Sequence, residues 1–409
     1  MSASQPKLLI LGIRGLPAAH GGFETFAEKL ALYLAGRGWG VSVYCQRDAA
    51  SYDRRITTDT WQGIQRINVH VTSTGPKATL EFDWLCVRDA AKRDGVCLVL
   101  GYNGAVFLPW LRAFGRKIIT NMDGIEWKRP KWGLAVRGWF WVNEWIAAFA
   151  SHRLIADHPG IADHLATRRP RAKTMMIPYG ADPVPFAPEA QVRAMGLVPD
   201  NYLVSIARIE PDNSIEILVK AFSAQRRNAR LVVLGKLEPG NAYHDAVRAA
   251  ASDEVMFPGA IYEAGTVKSL RFHARAYLHG HTVGGTNPSL VEALWAGNAV
   301  IAHDNIFNRW TAGAAGRFFK DQSECEQLIA HALTQTADIE TARKAALVQA
   351  MAHFDWADVM QAYEWELASF LPETVSARVT EEALPVEAAQ TDIGQAGAAP
   401  AKMAAGLRR

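Results

Sequence analysis

The chain has 409 residues, 49% of them hydrophobic and 21% charged, which is enough for about two or three domains with their own cores. A net charge of +3 is too mild to mark a nucleic-acid binder by itself. The four cysteines form no Cys-x-x-Cys pair and none sits near a histidine at metal spacing, which argues against a disulfide framework or a zinc site. Cys45 and Cys97 fall in apolar runs and read as core residues of a protein in a reducing, cytoplasmic compartment.

In chain order, Lys7–Leu11 is a short apolar run that ends in a glycine loop, lacks a basic start and so does not read as a signal peptide. A helix over residues 23–36 and a strand over 41–45 follow, the opening of a parallel α/β sheet. Val96–Leu100, residues 117–120, Arg153–Ala156 and residues 175–178 repeat the pattern of a buried strand running into a loop. Residues 182–199 hold several prolines and no period, the mark of a linker. A second α/β series starts at 202–207 and continues through Arg230–Leu234, 255–257, 275–278 and 299–302. The expected organisation is a first Rossmann-like domain over 1–181, a second over 200–355, and a helix over 356–371 packing back toward the first. A disordered tail is expected over 372–409. No apolar run is long enough to span a membrane.

Four loops at strand ends carry candidate chemistry. GIRGLPAAHGGFE, residues 12–24, places Gly21 and Gly22 where a helix begins. Glycine lets backbone amides approach a ligand, and a helix start favours an anion. The spacing fits neither the dinucleotide nor the P-loop pattern, and the loop also reads as a plain tight turn. Arg208, after the first strand of the second half, is placed to clamp a diphosphate, although by itself it reads first as a surface arginine paired with Glu210. Residues 279–292, HGHTVGGTNPSLVE, run through His279 and His281 into Asn287, Pro288 and Ser289 at a helix start, whose amides would be free for a phosphate. Glu292, about one turn in, can accept ribose hydroxyls or simply complement the helix dipole. Asp123, after the strand 117–120, reads as an acid positioning a reacting hydroxyl or as an Asx-turn residue.

Tryptophan is abundant at 13 residues. Trp127, Lys128, Arg129, Lys131 and Trp132 mix basic and aromatic side chains as an anionic membrane surface or a stacked nucleic acid would require. Trp139, Val142, Ile146 and Phe149 recur at helical spacing and read as a core face.

Together, residues 12–24, 121–132, 208–213, 279–292 and 298–301 resemble the family-four retaining glycosyltransferases, and within them bacterial rhamnosyltransferases of capsule and cell-wall polysaccharide synthesis. The resemblance spans roughly residues 7–370 and implies the GT-B fold, two Rossmann-like domains facing across a cleft. It implies that Gly21 and Gly22 give amides to the donor diphosphate and that Arg208 neutralises it. Asn287, Pro288 and Ser289 would line the phosphates, Glu292 would hold the ribose, and Asp123 would sit near the reacting sugar. Two positions depart from the wider family: Gly284 stands where a glutamate touching the donor sugar is usual, and Asn213 where a lysine is usual. His281, Arg14 or a backbone nest is then needed to offset the diphosphate.

The expected activity is retaining transfer from a nucleotide sugar, dTDP-L-rhamnose by resemblance, to a glycan or polyprenyl-diphosphate-linked acceptor at the inner membrane face. No metal, further cofactor or nucleic acid is expected to take part. The rival readings are a sugar-nucleotide epimerase or phosphorylase on the same fold, and a non-catalytic membrane- or nucleic-acid-binding protein.

Overall fold

A computed structural model describes residues 5–19, 21–48, 55–129, 131–373 and 375–376. Most of the expected tail, residues 377–409, lies outside the described residues.

The first half builds an eight-stranded sheet from β1 (Lys7–Leu11), β2 (Gly40–Asp48), β3 (Ile56–Trp61), β4 (Ile64–Val71), β5 (Val96–Leu100), β6 (Lys117–Asn121), β7 (Arg153–Ala156) and β8 (Thr174–Met176). Their order is β3-β4-β2-β1-β5-β6-β7-β8, and only the edge pair β3–β4 is antiparallel. The strands β1 and β5 read as continuous apolar runs because helices cover both sheet faces. Leu8 and Ile10 of β1 enter one core while Leu9 and Leu11 enter the other, as the two-residue period of a strand dictates.

The second half builds a six-stranded parallel sheet from β9 (Tyr202–Ile206), β10 (Arg230–Leu234), β11 (Val255–Gly259), β12 (Ala276–His279), β13 (Ala299–His303) and β14 (Gly316–Phe319). Its order is β11-β10-β9-β12-β13-β14, the doubly wound arrangement whose ligands lie beyond the carboxyl ends of the strands.

The stretch 182–199 is not a bare linker. It contains the helix Ala190–Ala194, and Val192 and Leu197 are buried in the second domain's core. Its isolated apolar residues are too few to show a period in sequence, yet Val192, Met195 and Leu197 pack on the second core while Phe186 and Val198 stay exposed. The chain crosses between domains at two adjacent points, where Ala181 donates to Phe354 and bridges Asp355.

The last long helix, Trp356–Ala368, is started by Asp355, whose carboxylate accepts the Ala357 amide. It packs Val359, Met360, Tyr363 and Leu367 into the first domain's core with Leu8 and Ile10. Its buried Glu364 is held by Arg37 at 2.6 Å, the Tyr33 hydroxyl at 3.0 Å and the Trp39 indole at 3.1 Å.

Candidate functional site: a cleft between two parallel sheets

The loops after β1, β6 and β7 face those after β9 and β12 across a cavity of about 290 Å³. Gly22, Asp123, Arg129, Asp157, Arg208, Asn213, His281, Asn287 and Pro288 all line it. A larger groove of about 1660 Å³, on the side of the first domain, is lined by Arg14, Arg47, Lys131, Trp132 and Trp139. Asp123, Arg129 and Arg208 line both, so they mark the place where the two spaces meet.

Two helix starts converge on the cleft. The helix Gly22–Gly36 begins after Gly21, which brings no side-chain cap, so its first amides face outward unclaimed by a neighbouring side chain. A Cβ on Gly22 would lie 3.0 Å from Pro288 on the opposite domain, so a larger residue would narrow the cleft at this point. The second start, Pro288–Trp295, differs from the expectation of free amides. Pro288 has no N–H, and the Ser289 amide is taken by the Asn287 side chain at 3.0 Å. The Ser289 hydroxyl is also engaged, with Tyr277 at 2.7 Å and the Ile206 carbonyl at 3.0 Å. Asparagine is among the best helix caps, and here it serves its own helix.

Asp123 adopts a left-handed backbone, φ 51°, and its amide donates to the Asn121 side chain at 3.0 Å. Burial pushes its carboxyl up to about 6; nearby Glu126 adds to the rise, and Arg129 and Arg208 oppose it. Arg208 is 70% exposed and pairs with Glu210 at 3.3 Å, while Glu210 also receives Lys131 from the other domain at 3.2 Å. Arg208 is thus both the surface pair and a lining residue of the cleft.

Several expected placements change. Arg129, grouped in sequence with the membrane-facing aromatics, lies in the cleft and pairs with Glu126 at 2.7 Å. Burial, with Arg129 and Arg208 nearby, drives the His281 pKa down to about 3, so its ring lines the cleft as a neutral imidazole. Arg14 lines the larger groove and not the smaller cavity. Gly21 precedes the lining residue Gly22 without lining the cavity itself. Glu292 also lies outside the lining; it pairs at 2.5 Å with Arg271, a buried guanidinium that needs a counter-ion.

The aromatic segment is reversed with respect to expectation. Trp127 and Trp132 pack against the first core, and their indoles donate to Glu144 at 2.9 Å and Glu126 at 3.3 Å. Lys128 remains exposed, its ammonium 5.4 Å from the Trp127 ring. Lys131 lies 4.9 Å from the Trp132 ring. The helix Leu134–Ala150 instead buries Phe140, Asn143, Glu144, Ala147 and Ala148, and turns Trp139, Trp141, Val142 and Phe149 outward. Glu144 explains the orientation: it is the inward partner of Trp127, His164 and Arg168, and it fixes which face of the helix points in.

Asp157, just beyond β7, was not singled out in sequence. Its Oδ2 accepts the Thr286 amide at 2.9 Å, its carbonyl accepts the Thr286 hydroxyl, and its Oδ1 is buried without a partner. The only signal in sequence is an acid directly after a buried apolar strand, ahead of the turn His158-Pro159-Gly160. Among the described residues no group of histidine, cysteine and acids could hold a metal ion, and no helix is long and apolar enough to cross a membrane.

Residues 192–345 match the family described as Glycosyl transferases group 1, and residues 5–182 match a Domain of unknown function (DUF1972). A search of curated proteins gives no match. Among solved structures, the chain is similar to sucrose-phosphate synthase from Thermosynechococcus elongatus, with 20% identity, TM-score 0.73, and 90% of this chain and 100% of that one covered. It is also similar to Anabaena HepE in complex with UDP and glucose, with 17% identity, TM-score 0.70 and the same coverage of 90% and 100%. A trehalose-phosphate synthase from Burkholderia xenovorans, in complex with glucose-6-phosphate, matches at 12% identity and TM-score 0.69, covering 89% and 100%. These likenesses establish the fold. The two Rossmann-like domains stand in the GT-B arrangement, and the match of residues 192–345 to group 1 glycosyl transferases supports a glycosyltransferase.

Proposed function

We propose that the chain moves a sugar from a nucleoside diphosphate to a glycan acceptor with retention of anomeric configuration. The preferred donor is dTDP-L-rhamnose and the preferred acceptor a polyprenyl-diphosphate-linked glycan of surface polysaccharide synthesis, at the inner membrane face. The observation that carries the reading is the junction of Asp123, Arg129 and Arg208 between the two cavities. The diphosphate lies in the smaller cavity and the acceptor in the larger groove, and the anomeric carbon sits where they meet.

In the proposed step the bond from the anomeric carbon to the diphosphate oxygen breaks. The acceptor oxygen bonds to that carbon on the same face, and its proton passes to the departing phosphate. Charge grows on the phosphate oxygens, and donors already aimed there lower the barrier. Arg208 and Arg129 offset that charge, with the amides at Gly22, and Arg129 takes the place left by Asn213. Glu292 keeps Oε1 for a ribose hydroxyl while Oε2 stays on Arg271. Gly284 leaves the sugar pocket without a side-chain carboxylate from its own loop, which favours a deoxy sugar with fewer hydroxyls to satisfy.

HepE binds UDP, which makes a UDP-sugar the second donor reading. A thermal-shift panel of dTDP, UDP and GDP, then of their sugars, separates the two, because a ligand that binds only the folded chain raises its melting temperature. Protection by dTDP above the others supports the rhamnose reading, whereas protection by UDP alone replaces it.

A further inference from the structure

The helix Leu134–Ala150 is inside out for a surface helix. Its charged and polar side chains turn toward the protein: Arg137 donates to the Trp127 carbonyl at 2.8 Å, Asn143 accepts the Val106 amide at 2.8 Å, and Glu144 is 1% exposed. Its outward half carries no charge at all and presents Leu134 at 84% exposure and Phe149 at 62%. Trp141, Trp145 and Phe149, one turn apart, form a ladder of rings with centroids about 6 Å apart. The short helix Leu108–Ala113 packs alongside and adds exposed Trp110 and Phe114, whose rings lie 5.2 Å apart. Burying one face of a helix is the ordinary reason for its apolar stripe. Here the inward face takes Phe140 and small alanines with the polar groups, and most of the large apolar side chains are on the face left uncovered.

Cations border this face. Arg112 and Arg169 donate to the carbonyls of Ala150 and Ala148 at the end of the helix, and exposed Lys117, Arg171 and Lys173 lie on the neighbouring segments. Arg112, Lys117, Arg169 and Lys173 together hold the His152 pKa down after burial, which places all four around one ring. None of these cations has a carboxylate partner among the described residues. The sequence from 104 to 122 and from 164 to 181 contains no acid, and from 128 to 156 only the buried Glu144.

We propose that this face docks on an anionic lipid bilayer, with Trp141, Phe149 and Trp110 in the interface and the flanking cations on the headgroups. An uncharged aromatic face rimmed by lysine and arginine is what an interfacial helix needs. A second copy of the chain fits worse, since a two-fold contact would bring one basic cluster against its twin. The groove supports the same occupant. Ala135, Val136 and Trp139, from the first turns of this helix, line the larger groove, so its wall continues onto the docking face. Arg14, Arg47 and Lys131 line the same groove, suited to the anionic head of an acceptor whose tail stays in the bilayer. This acceptor assignment rests on the proposed transferase reading; the docking face does not.

The test is co-sedimentation of the full chain with phosphatidylglycerol-containing vesicles and with pure phosphatidylcholine vesicles. It uses the wild type, Trp141→Glu/Phe149→Glu and Arg171→Glu/Lys173→Glu, all at exposed positions. The wild type is expected to sediment with the anionic vesicles, less so at high salt, and each double variant to bind about tenfold more weakly or worse. Circular dichroism and the nucleotide-dependent thermal shift should be unchanged in both variants. No sedimentation of the wild type, or equal sedimentation of all three proteins, overturns the proposal. So does light scattering that shows a dimer dissociated by Trp141→Glu/Phe149→Glu. Vesicle binding without any nucleotide-dependent shift leaves the docking face standing and removes the transferase reading of the cleft. The reverse pattern does the opposite.

Discussion

Asp157 of the first domain accepts the backbone amide of Thr286 of the second at 2.9 Å, directly beside the cleft. Its other carboxylate oxygen rests against Gly285, where a Cβ would lie only 2.1 Å away. One acid thus fixes the loop that delivers Asn287 and Pro288 to the opposing start of the helix Gly22–Gly36. Burial, with Asp123 nearby, holds the Asp157 carboxyl well above the usual carboxylate range, so the bond is not simply one to a free anion, and leaving the buried Thr286 amide unpaired would cost about 1–3 kcal/mol.

Asp157→Ala should therefore loosen the loop and raise KM for the sugar nucleotide by about tenfold or more. Gly285→Ala should do the same by pushing the loop away while leaving the acid in place. Steady-state kinetics in donor concentration checks both. An unchanged KM in both variants would show that the contact does not shape the donor site.

Asp123 links the chemistry to pH. Its carboxyl is pushed from 3.8 to about 6 in the folded chain, largely by burial. A carboxyl that is harder to ionise when folded favours the folded state only while protonated. Its contribution is fully present below about pH 4 and is lost as pH rises through about 6. Asp123→Asn removes that loss. The variant should be more stable than the wild type at pH 8, by about 3 kcal/mol, with the gain shrinking to nothing near pH 4. Urea unfolding at both values tests the sign, and a gain that is equal at the two pH values would refute it. The same variant should lose transfer activity.

Glu144 tests the packing argument behind the inverted helix. With only 2% of its side chain exposed, it receives His164 at 2.9 Å, Arg168 at 2.7 Å and the Trp127 indole at 2.9 Å. Removing it leaves a guanidinium, an imidazole and an indole facing a void. Glu144→Ala should cost about 3 kcal/mol or more, read as a lower urea midpoint with an unchanged slope.

Much of the scaffold was legible in the sequence because buried parallel strands are short unbroken apolar runs. The run Val-Cys-Leu-Val-Leu of β5 and the run Arg-Leu-Val-Val-Leu of β10 have no other ready reading. The hairpin β3–β4 escaped notice because β3, Ile-Thr-Thr-Asp-Thr-Trp, is a largely exposed edge with little apolar content. Its turn, Gln62-Gly63, with both residues at positive φ, was the available signal. Within the cleft, loops at strand ends were readable, and so were their glycines. Which side chain satisfies which amide was not. Asn287 caps its own helix, and Arg271 occupies Glu292, through contacts that no spacing reveals. The outward face of the helix Leu134–Ala150 misled for a related reason. Apolar periodicity shows that one side differs from the other, but only the burial of Glu144 with three partners shows which side is inside.

The most direct test of the cleft is single-turnover transfer by Arg208→Ala, with donor saturating and with binding of the nucleoside diphosphate followed by calorimetry. The account gives a loss of transition-state stabilisation of about 3 kcal/mol, on the order of a hundredfold in rate, together with weaker diphosphate binding. Turnover near that of the wild type, or no heat from any nucleoside diphosphate with the wild-type chain, would contradict it.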